Sequence, residues 1–384
     1  MKKTRVLHII THLPIGGAQD NTLLTVEKLD KERYNVILAC GPQGEWIKRA
    51  QNIPDLKIIF IKELIRKIHL FYDIVAIFKI YSIIKKERCT IVHTHSSKPG
   101  FSGRIAAKLA GVPVLIHTIH GFPFHDFMPK PVQIFYILVE KFLSRLSDCL
   151  ITVSKLNMQK AVDMGISEKE KFLNIYSGIC FKRFVKRRDK KSVKKELKIS
   201  AKSSVVGMVG RLSEQKAPET LFYAIPEILK KHSNTIFLIV GDGEKKKSLI
   251  RLTDKLDIVN RVKFLGNRQD IPDLLSVMDV YVLPSLWEGL GRSLTEAMYF
   301  SIPVVASKVE GVPELVEHEK TGFLVQPKDS HALSRYVIQL LDNATLRKRM
   351  GQFAKQKVTV DFSADEMVSR IDKLYQKQLS NLIY

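Results

Sequence analysis

The feature that most limits what this chain can become is an alternation that runs through it twice. Short runs rich in Val, Ile and Leu recur at Arg5–Ile10, Tyr34–Ala39, Lys57–Ile61, Ile91–Thr94, Val114–Thr118 and Cys149–Val153, with helix-length stretches such as Ala18–Leu29 and Gly103–Ala110 between them. The pattern restarts at Val205–Val209, Ile236–Val240, Val262–Leu265, Val280–Leu283 and Pro303–Ala306. Near-continuous apolar strands separated by helices belong to parallel sheets covered on both faces. The chain therefore reads as α/β with two Rossmann-like domains, and at ~100–200 residues per domain its 384 residues suffice for two. The expected limits are a first domain over 1–180, a basic linker over 181–200, a second domain over 201–360 and a C-terminal helix over 361–384. That helix either caps the second domain or crosses back to the first. Ligands of such sheets bind beyond the carboxyl ends of the strands, so two facing domains are expected to enclose a cleft there.

Charge narrows the partners. Lys and Arg number 62 against 39 acids, a formal net charge of +23. Such a surplus favours anionic surfaces or phosphate-bearing ligands. It is concentrated in Lys182–Lys198, with ten bases and two acids, a composition expected of a solvated linker. A second cluster, Lys62–Arg88, has basic ends and an apolar centre of helical length. It reads either as a helix lying on a membrane surface or as a core helix with a basic rim. No stretch reaches the ~18 uninterrupted apolar residues of a spanning helix. The N-terminal apolar run is short, interrupted by His8 and followed by Pro14-Ile15-Gly16-Gly17, so it reads as a first strand and not as a signal peptide. Cys40, Cys89, Cys149 and Cys180 are widely spaced, as expected of free thiols in a reducing compartment. Nucleic acid is not an expected partner, because no recognised binding module or stacking-aromatic pattern accompanies the charge.

Three loops carry candidate chemistry. Gly16-Gly17-Ala18-Gln19 follows the first strand and opens a helix, where glycine lets a ligand approach and free N–H groups attract an anion. It lacks the G-x-G-x-x-G pattern, which argues against a dinucleotide oxidoreductase. Arg211 and Lys216 follow the first strand of the second set, where a planar fork and a mobile ammonium suit a diphosphate. The stretch WEGLGRSLTEAM (287–298) follows the strand Val280–Leu283. Gly289 and Gly291 free its backbone, and a helix from Arg292 offers its N-terminus to an anion. Glu288 and Glu296, acceptors only when ionised, suit the hydroxyls of a sugar or ribose on either side of that anion. The histidines His93, His95, His117, His120 and His125 follow no metal-ligand spacing, so a metal is not expected.

With seven residues between Glu288 and Glu296, and with PSLWEGLGRSLTEAMYFSIPVVAS…EGVPELV…TGFLV around them, the chain resembles the retaining glycosyltransferases of family 4, which have the GT-B fold. GGAQ (16–19), VHTHSSKPG (92–100), HTIHG (117–121), VGRLSEQK (209–216), VGDG (240–243) and FLG (264–266) extend the resemblance over nearly the whole chain. It implies that Glu288 contacts the transferred sugar, Glu296 the ribose, and Arg211 with Lys216 the diphosphate. It further implies that Gly289, Leu290 and Gly291 present backbone to the sugar and that Ser293 and Leu294 offer amides to phosphate. Gly16 and Gly17 form the donor-facing turn of the first domain, His120 lies near the donor sugar, and Arg268 lies where the base is held. The implied catalytic set is Glu288, Arg211, Lys216 and His120. The family's Asn-Gly-x-Asp is here Ser177-Gly178-Ile179-Cys180, its usual aromatic before the second motif glycine is Leu290, and Ser301 replaces a frequent glycine.

The expected activity is transfer of a sugar from a UDP- or GDP-linked donor to a glycan or polyprenyl-linked acceptor, without metal or other cofactor. The expected place is the cytoplasmic side of the plasma membrane, held peripherally on an anionic surface. The rival readings are a nucleotide-sugar epimerase of the same fold and a non-catalytic polyanion binder.

Overall fold

Apolar runs that alternate with helices do form parallel strands here. The computed structural model describes residues 3–382; residues 1–2 and 383–384, the outer limits of the expected terminal segments, lie outside the described residues. The chain divides into two units. One runs to Gly178 and resumes at Ala364; the other is Ile179–Ser363.

The first unit holds strands β1 (Thr4–Ile9), β2 (Tyr34–Cys40), β3 (Lys57–Phe60), β4 (Ile91–His95), β5 (Val114–Ile119), β6 (Cys149–Thr152) and β7 (Phe172–Asn174). They form one parallel sheet in the order β3-β2-β1-β4-β5-β6-β7. Leu7, Ile9, Ile37 and Val92 on the strands pack with Ala76, Ile80 and Ile84 of the helix Leu70–Glu87 and with Ala106 and Ala107 of Ser97–Leu109. The C-terminal helix Ala364–Ser380 belongs to this unit. It lies on the helix Gly17–Lys28, where Lys28 pairs with Asp365 at 2.6 Å and Asn21 meets Met367 Sδ at 3.1 Å. Tyr34 donates its hydroxyl to Asp372 at 2.6 Å.

The second unit holds β8 (Ser204–Val209), β9 (Thr235–Val240), β10 (Val262–Gly266), β11 (Val280–Leu283), β12 (Val304–Ser307) and β13 (Gly322–Val325) in the parallel order β10-β9-β8-β11-β12-β13. Val206, Met208, Phe237, Ile239 and Val282 form its core with Leu221, Phe222 and Ile225 of the helix Glu219–Lys231.

The basic stretch expected as a linker is part of this second unit. Phe181 stacks on Tyr299 with ring centroids 4.5 Å apart, and Phe184 meets Phe300 edge-on at 6.2 Å. Asp189 caps the helix Lys190–Glu196, whose Val193 is buried. Arg188 donates to Asp273 at 2.9 Å and also pairs with Asp270 and Glu196, while Lys194 donates to the Ser203 carbonyl at 2.7 Å. A run of bases is solvated only where no acids face it; here three carboxylates and a pair of backbone carbonyls do.

Candidate active site

Both sheets have a switch point, where the chain leaves one side of the first strand and continues on the other. In the second unit this lies between β8 and β11, and the loops after neighbouring parallel strands emerge at the same edge. That adjacency joins residues 72 apart in sequence. Leu286 N–H donates to the Gln215 carbonyl at 2.8 Å, and the Gln215 amide donates to the Trp287 carbonyl at 3.1 Å. Below them the Tyr281 hydroxyl donates to the Val209 carbonyl at 3.1 Å.

On this frame Lys216 meets Glu288 in a direct ion pair. Both are largely removed from water: their side chains are 15% and 6% exposed. Ser285 adds a hydroxyl to the same carboxylate oxygen at 2.7 Å, and the Glu288 N–H donates to Glu310 at 2.9 Å. Arg211 stands further out, half exposed, 3.1 Å from Glu244. Gly291 has φ of +93°, in the left-handed region that favours glycine, and opens the helix Arg292–Tyr299 by accepting from the N–H groups of Leu294 and Thr295. Leu290 and Leu294 are buried, and the Ser293 hydroxyl is buried beside the Tyr281 phenol. Burial raises that phenol above its ordinary range. Glu296 accepts from Arg292 Nε at 3.1 Å within this helix. Gly289 lies between Glu288 and Leu290 in the turn.

Thus Lys216, Glu288, Gly289, Leu290, Gly291, Ser293, Leu294 and Glu296 share one edge of one sheet. Arg268 follows β10 at the same carboxyl edge of the sheet, two strands from β8, and is held there by acids. Its guanidinium donates to Asp270 at 2.7 Å and Glu196 at 3.0 Å, and these partners raise its already high pKa. Sequence reasoning missed Ser285, Arg292 and Glu310. Glu310 lies in the quoted EGVPELV segment, so its place after β12 was the available signal.

The first unit's switch point lies between β1 and β4 and is filled differently. Gly16, with extended backbone, precedes the helix Gly17–Lys28, and Asp20 in its first turn pairs with Arg49. Register sets His8 of β1 beside His93 of β4. His8, His93 and His95 are fully buried, and their nearest ring nitrogens lie within 4.8 Å of one another. That is close enough to share a cation, but hydrogen bonds already engage these nitrogens. His8 Nδ1 meets His95 Nε2 at 2.9 Å, and His93 reaches Tyr375 at 2.6 Å and Thr118 at 2.7 Å. His120, half buried, meets His95 Nδ1 at 3.2 Å. Burial holds His8 and His120 down to about 3 and His93, His95 and His117 well below the usual imidazole range. His117 is tied to Thr94 Oγ1 at 2.8 Å and packs under Gly100, where an added Cβ would lie 2.5 Å from its ring. His8 and Tyr375 were not singled out in sequence, since only strand register and the docked C-terminal helix bring them together.

Known proteins agree with this architecture. A family model described as glycosyl transferases group 1 matches residues 189–357, and one described as glycosyltransferase family 4 matches residues 15–181. An Escherichia coli UDP-Gal:alpha-D-GlcNAc-diphosphoundecaprenol alpha-1,3-galactosyltransferase is 31% identical, with 99% of this chain and 98% of that protein covered. A Staphylococcus aureus capsular polysaccharide biosynthesis glycosyltransferase, CapM, is 24% identical over 98% of this chain and 97% of its own length. The crystal structure of Anabaena HepE in complex with UDP and glucose superposes with a TM-score of 0.85 at 21% identity, covering 97% of this chain and 99% of that one. The fold is GT-B, and the chain belongs to glycosyltransferase family 4. It is a glycosyltransferase.

Proposed function

We propose that this enzyme takes a hexose from a UDP-linked donor and passes it, with retention of anomeric configuration, to a hydroxyl of a diphosphate-lipid-linked glycan during assembly of a surface polysaccharide. The observation that carries the reading is the Lys216–Glu288 pair at the end of β8 and β11. Lys216 has three N–H donors, so it can hold Glu288 and still donate to a diphosphate oxygen. Glu288, with lone pairs left over beside that contact, accepts from sugar hydroxyls. Arg211 is half exposed and within reach of an arriving second phosphate, while Ser293 and Leu294 lie in the first turn of a helix that opens at Gly291. Glu296 accepts from a ribose hydroxyl when Arg292 yields one oxygen.

As the bond from the anomeric carbon to the diphosphate oxygen breaks, negative charge collects on the leaving group. Fixed positive groups at that point are often the largest catalytic term. The acceptor hydroxyl then bonds to the same face of that carbon and passes its proton to the departing diphosphate. Lys216, Arg211 and the helix start supply the neutralising charge, so transfer should persist in a chelator. The full-length E. coli relative supports the UDP donor and the diphosphate-lipid acceptor.

On this reading the enzyme works at the cytoplasmic face of an anionic membrane, where such an acceptor is anchored. Support comes from the helix Leu70–Glu87, which buries only Ala76, Ile80 and Ile84 while Leu70 (77% exposed), Phe71 (66%) and Phe78 (65%) face out and Lys85 and Lys86 stand exposed in its last turn. No helix among the described residues is long and apolar enough to cross a membrane.

The test is an assay of the full chain with UDP-hexoses and a synthetic N-acetylhexosaminyl diphosphate lipid. Product should carry the donor's anomeric configuration by NMR. Turnover of the donor without acceptor, as an epimerase would give, contradicts the reading. Flotation with anionic vesicles at low salt tests the membrane half, and recovery of all protein in the vesicle-free fraction contradicts it.

A further inference from the structure

At the switch point of the first sheet, five hydrogen bonds run in a single file through six side chains. Thr118 Oγ1 meets His93 Nε2 at 2.7 Å, and His93 Nδ1 meets the Tyr375 hydroxyl at 2.6 Å. Tyr375 meets His8 Nε2 at 3.3 Å, His8 Nδ1 meets His95 Nε2 at 2.9 Å, and His95 Nδ1 meets His120 Nε2 at 3.2 Å. The file draws on β1, β4, β5, the residue just after β5 and the C-terminal helix. Four of its rings lie close together: His93 stacks on His95 with centroids 4.3 Å apart, His8 on His95 at 5.2 Å, and His95 on His120 at 5.5 Å.

A neutral imidazole has one donor and one acceptor nitrogen, and a hydroxyl has one donor. Two arrangements have every member donating the same way along the file; a third, with Tyr375 accepting from both His93 and His8, leaves the phenol's own proton without an acceptor among the described residues. The two one-way arrangements differ at the inner end. Among the described residues, His93 Nε2 is the hydrogen-bond partner of Thr118 Oγ1, and Thr118 is buried. If His93 donates to Thr118, the threonine O–H has nowhere to go and loses its full hydration. If Thr118 donates, every proton in the file has an acceptor: Thr118 to His93 Nε2, His93 Nδ1 to Tyr375, Tyr375 to His8 Nε2, His8 Nδ1 to His95 Nε2, and His95 Nδ1 to His120 Nε2. His120 Nε2 is then an acceptor, so its proton sits on Nδ1. Burial keeps the four imidazoles neutral, as this count requires.

We propose that Thr118 and Tyr375, acting through His93, His8 and His95, are positioning residues that hold His120 as the neutral Nδ1–H tautomer, so that it presents a hydrogen-bond donor to an oxygen of a ligand arriving at the carboxyl end of β5. The tautomer assignment stands on this chain's geometry; that the ligand is a substrate of sugar transfer rests on the function proposed above. The C-terminal helix thereby acquires a chemical role, because Tyr375 is the only non-imidazole link inside the file.

The test reads the tautomer directly. Full-length protein labelled with 15N in the histidine rings is examined by long-range 1H–15N correlation, with His120 assigned by the loss of its signals in His120→Gln. The wild type should show His120 protonated at Nδ1, with that form favoured about tenfold or more. Thr118→Val leaves a ring nitrogen unpartnered in either direction and removes the bias that the hydroxyl imposes; the Nε2–H form should become visible, and Thr118→Ser should restore the wild-type pattern. If the threonine variants do not fold, Tyr375→Phe cuts the file at its middle and should release the same mixture. A wild-type His120 protonated mainly at Nε2, or a tautomer indifferent to both Thr118→Val and Tyr375→Phe, overturns the proposal. A tautomer that changes as expected while both variants keep the wild-type KM and kcat for transfer upholds the file and overturns the ligand contact of His120 instead.

Discussion

Between β1 and β4 the first unit sets a neutral file of imidazoles and hydroxyls; between β8 and β11 the second sets a cluster of full charges, with Lys216 on Glu288 and Arg292 on Glu296. The backbone plan is the same in both. In each, the first strand has its second strand on one side and its fourth on the other, so each opens a crevice at the same relative place. Topology therefore chooses where a ligand is met, and residue type chooses what is met there. Charges serve a group that develops charge during reaction, whereas a neutral file can orient a ligand without attracting counter-ions.

The contrast can be broken most sharply at Lys216. Lys216→Ala should cut the transfer rate by about 100- to 1,000-fold, as loss of a fixed charge-stabilising donor does. It should also destabilise the second unit by roughly 3 kcal/mol, because Glu288 is left buried without its partner. Thermal unfolding of Lys216→Ala against Lys216→Met with Glu288→Gln separates the two effects: the double variant should regain most of the stability and none of the activity.

Acid should distinguish the units next. His8 titrates near 3 in the fold and about 6.5 when unfolded, so the unfolded chain takes up the proton first. Its contribution is complete above about pH 6.5, falls as pH drops below that, and amounts to a loss of about 2 kcal/mol at pH 5. In the second unit Glu317, held down to about 2 by Lys320 and Lys357, gives stability that persists until pH falls below the usual carboxylate range. Hydrogen exchange at pH 5 against pH 7.5 should show the first unit opening more readily while the second is unchanged.

Much of this was legible in sequence because it depends on local pattern. Eleven strands were readable as apolar runs; β7 was missed because it buries only one residue of three behind a charged stretch, and β13 because it opens on a glycine. The positions of Glu288 and Lys216 at strand ends were equally readable. Their pairing was not, since it needs β8 and β11 to be neighbours. The basic stretch 182–198 misled because its acids, Asp270 and Asp273, lie more than seventy residues on. Tyr375 could be placed only once the C-terminal helix was seen on the first unit.

A smaller effect concerns the helix that carries Glu296. Ser301, where the family often has glycine, follows that helix with φ of +58°. A left-handed conformation costs a side-chain-bearing residue roughly 1–2 kcal/mol, so Ser301→Gly should stabilise the second unit by up to about 1 kcal/mol in denaturant unfolding. The smallest stability effect is expected at Arg211→Ala, below about 1 kcal/mol, because its pair with Glu244 is exposed. Its transfer rate should nonetheless fall clearly, a split that marks a residue serving the ligand more than the fold.

The central claim is that the charged switch point of the second unit handles the donor diphosphate. It is tested most directly by calorimetric binding of UDP to the full-length wild type, Arg211→Ala and Lys216→Ala, paired with transfer rates from a UDP-hexose. The account predicts weaker UDP binding and slower transfer in both variants, with the larger loss at Lys216. Wild-type binding and full transfer in both would contradict it.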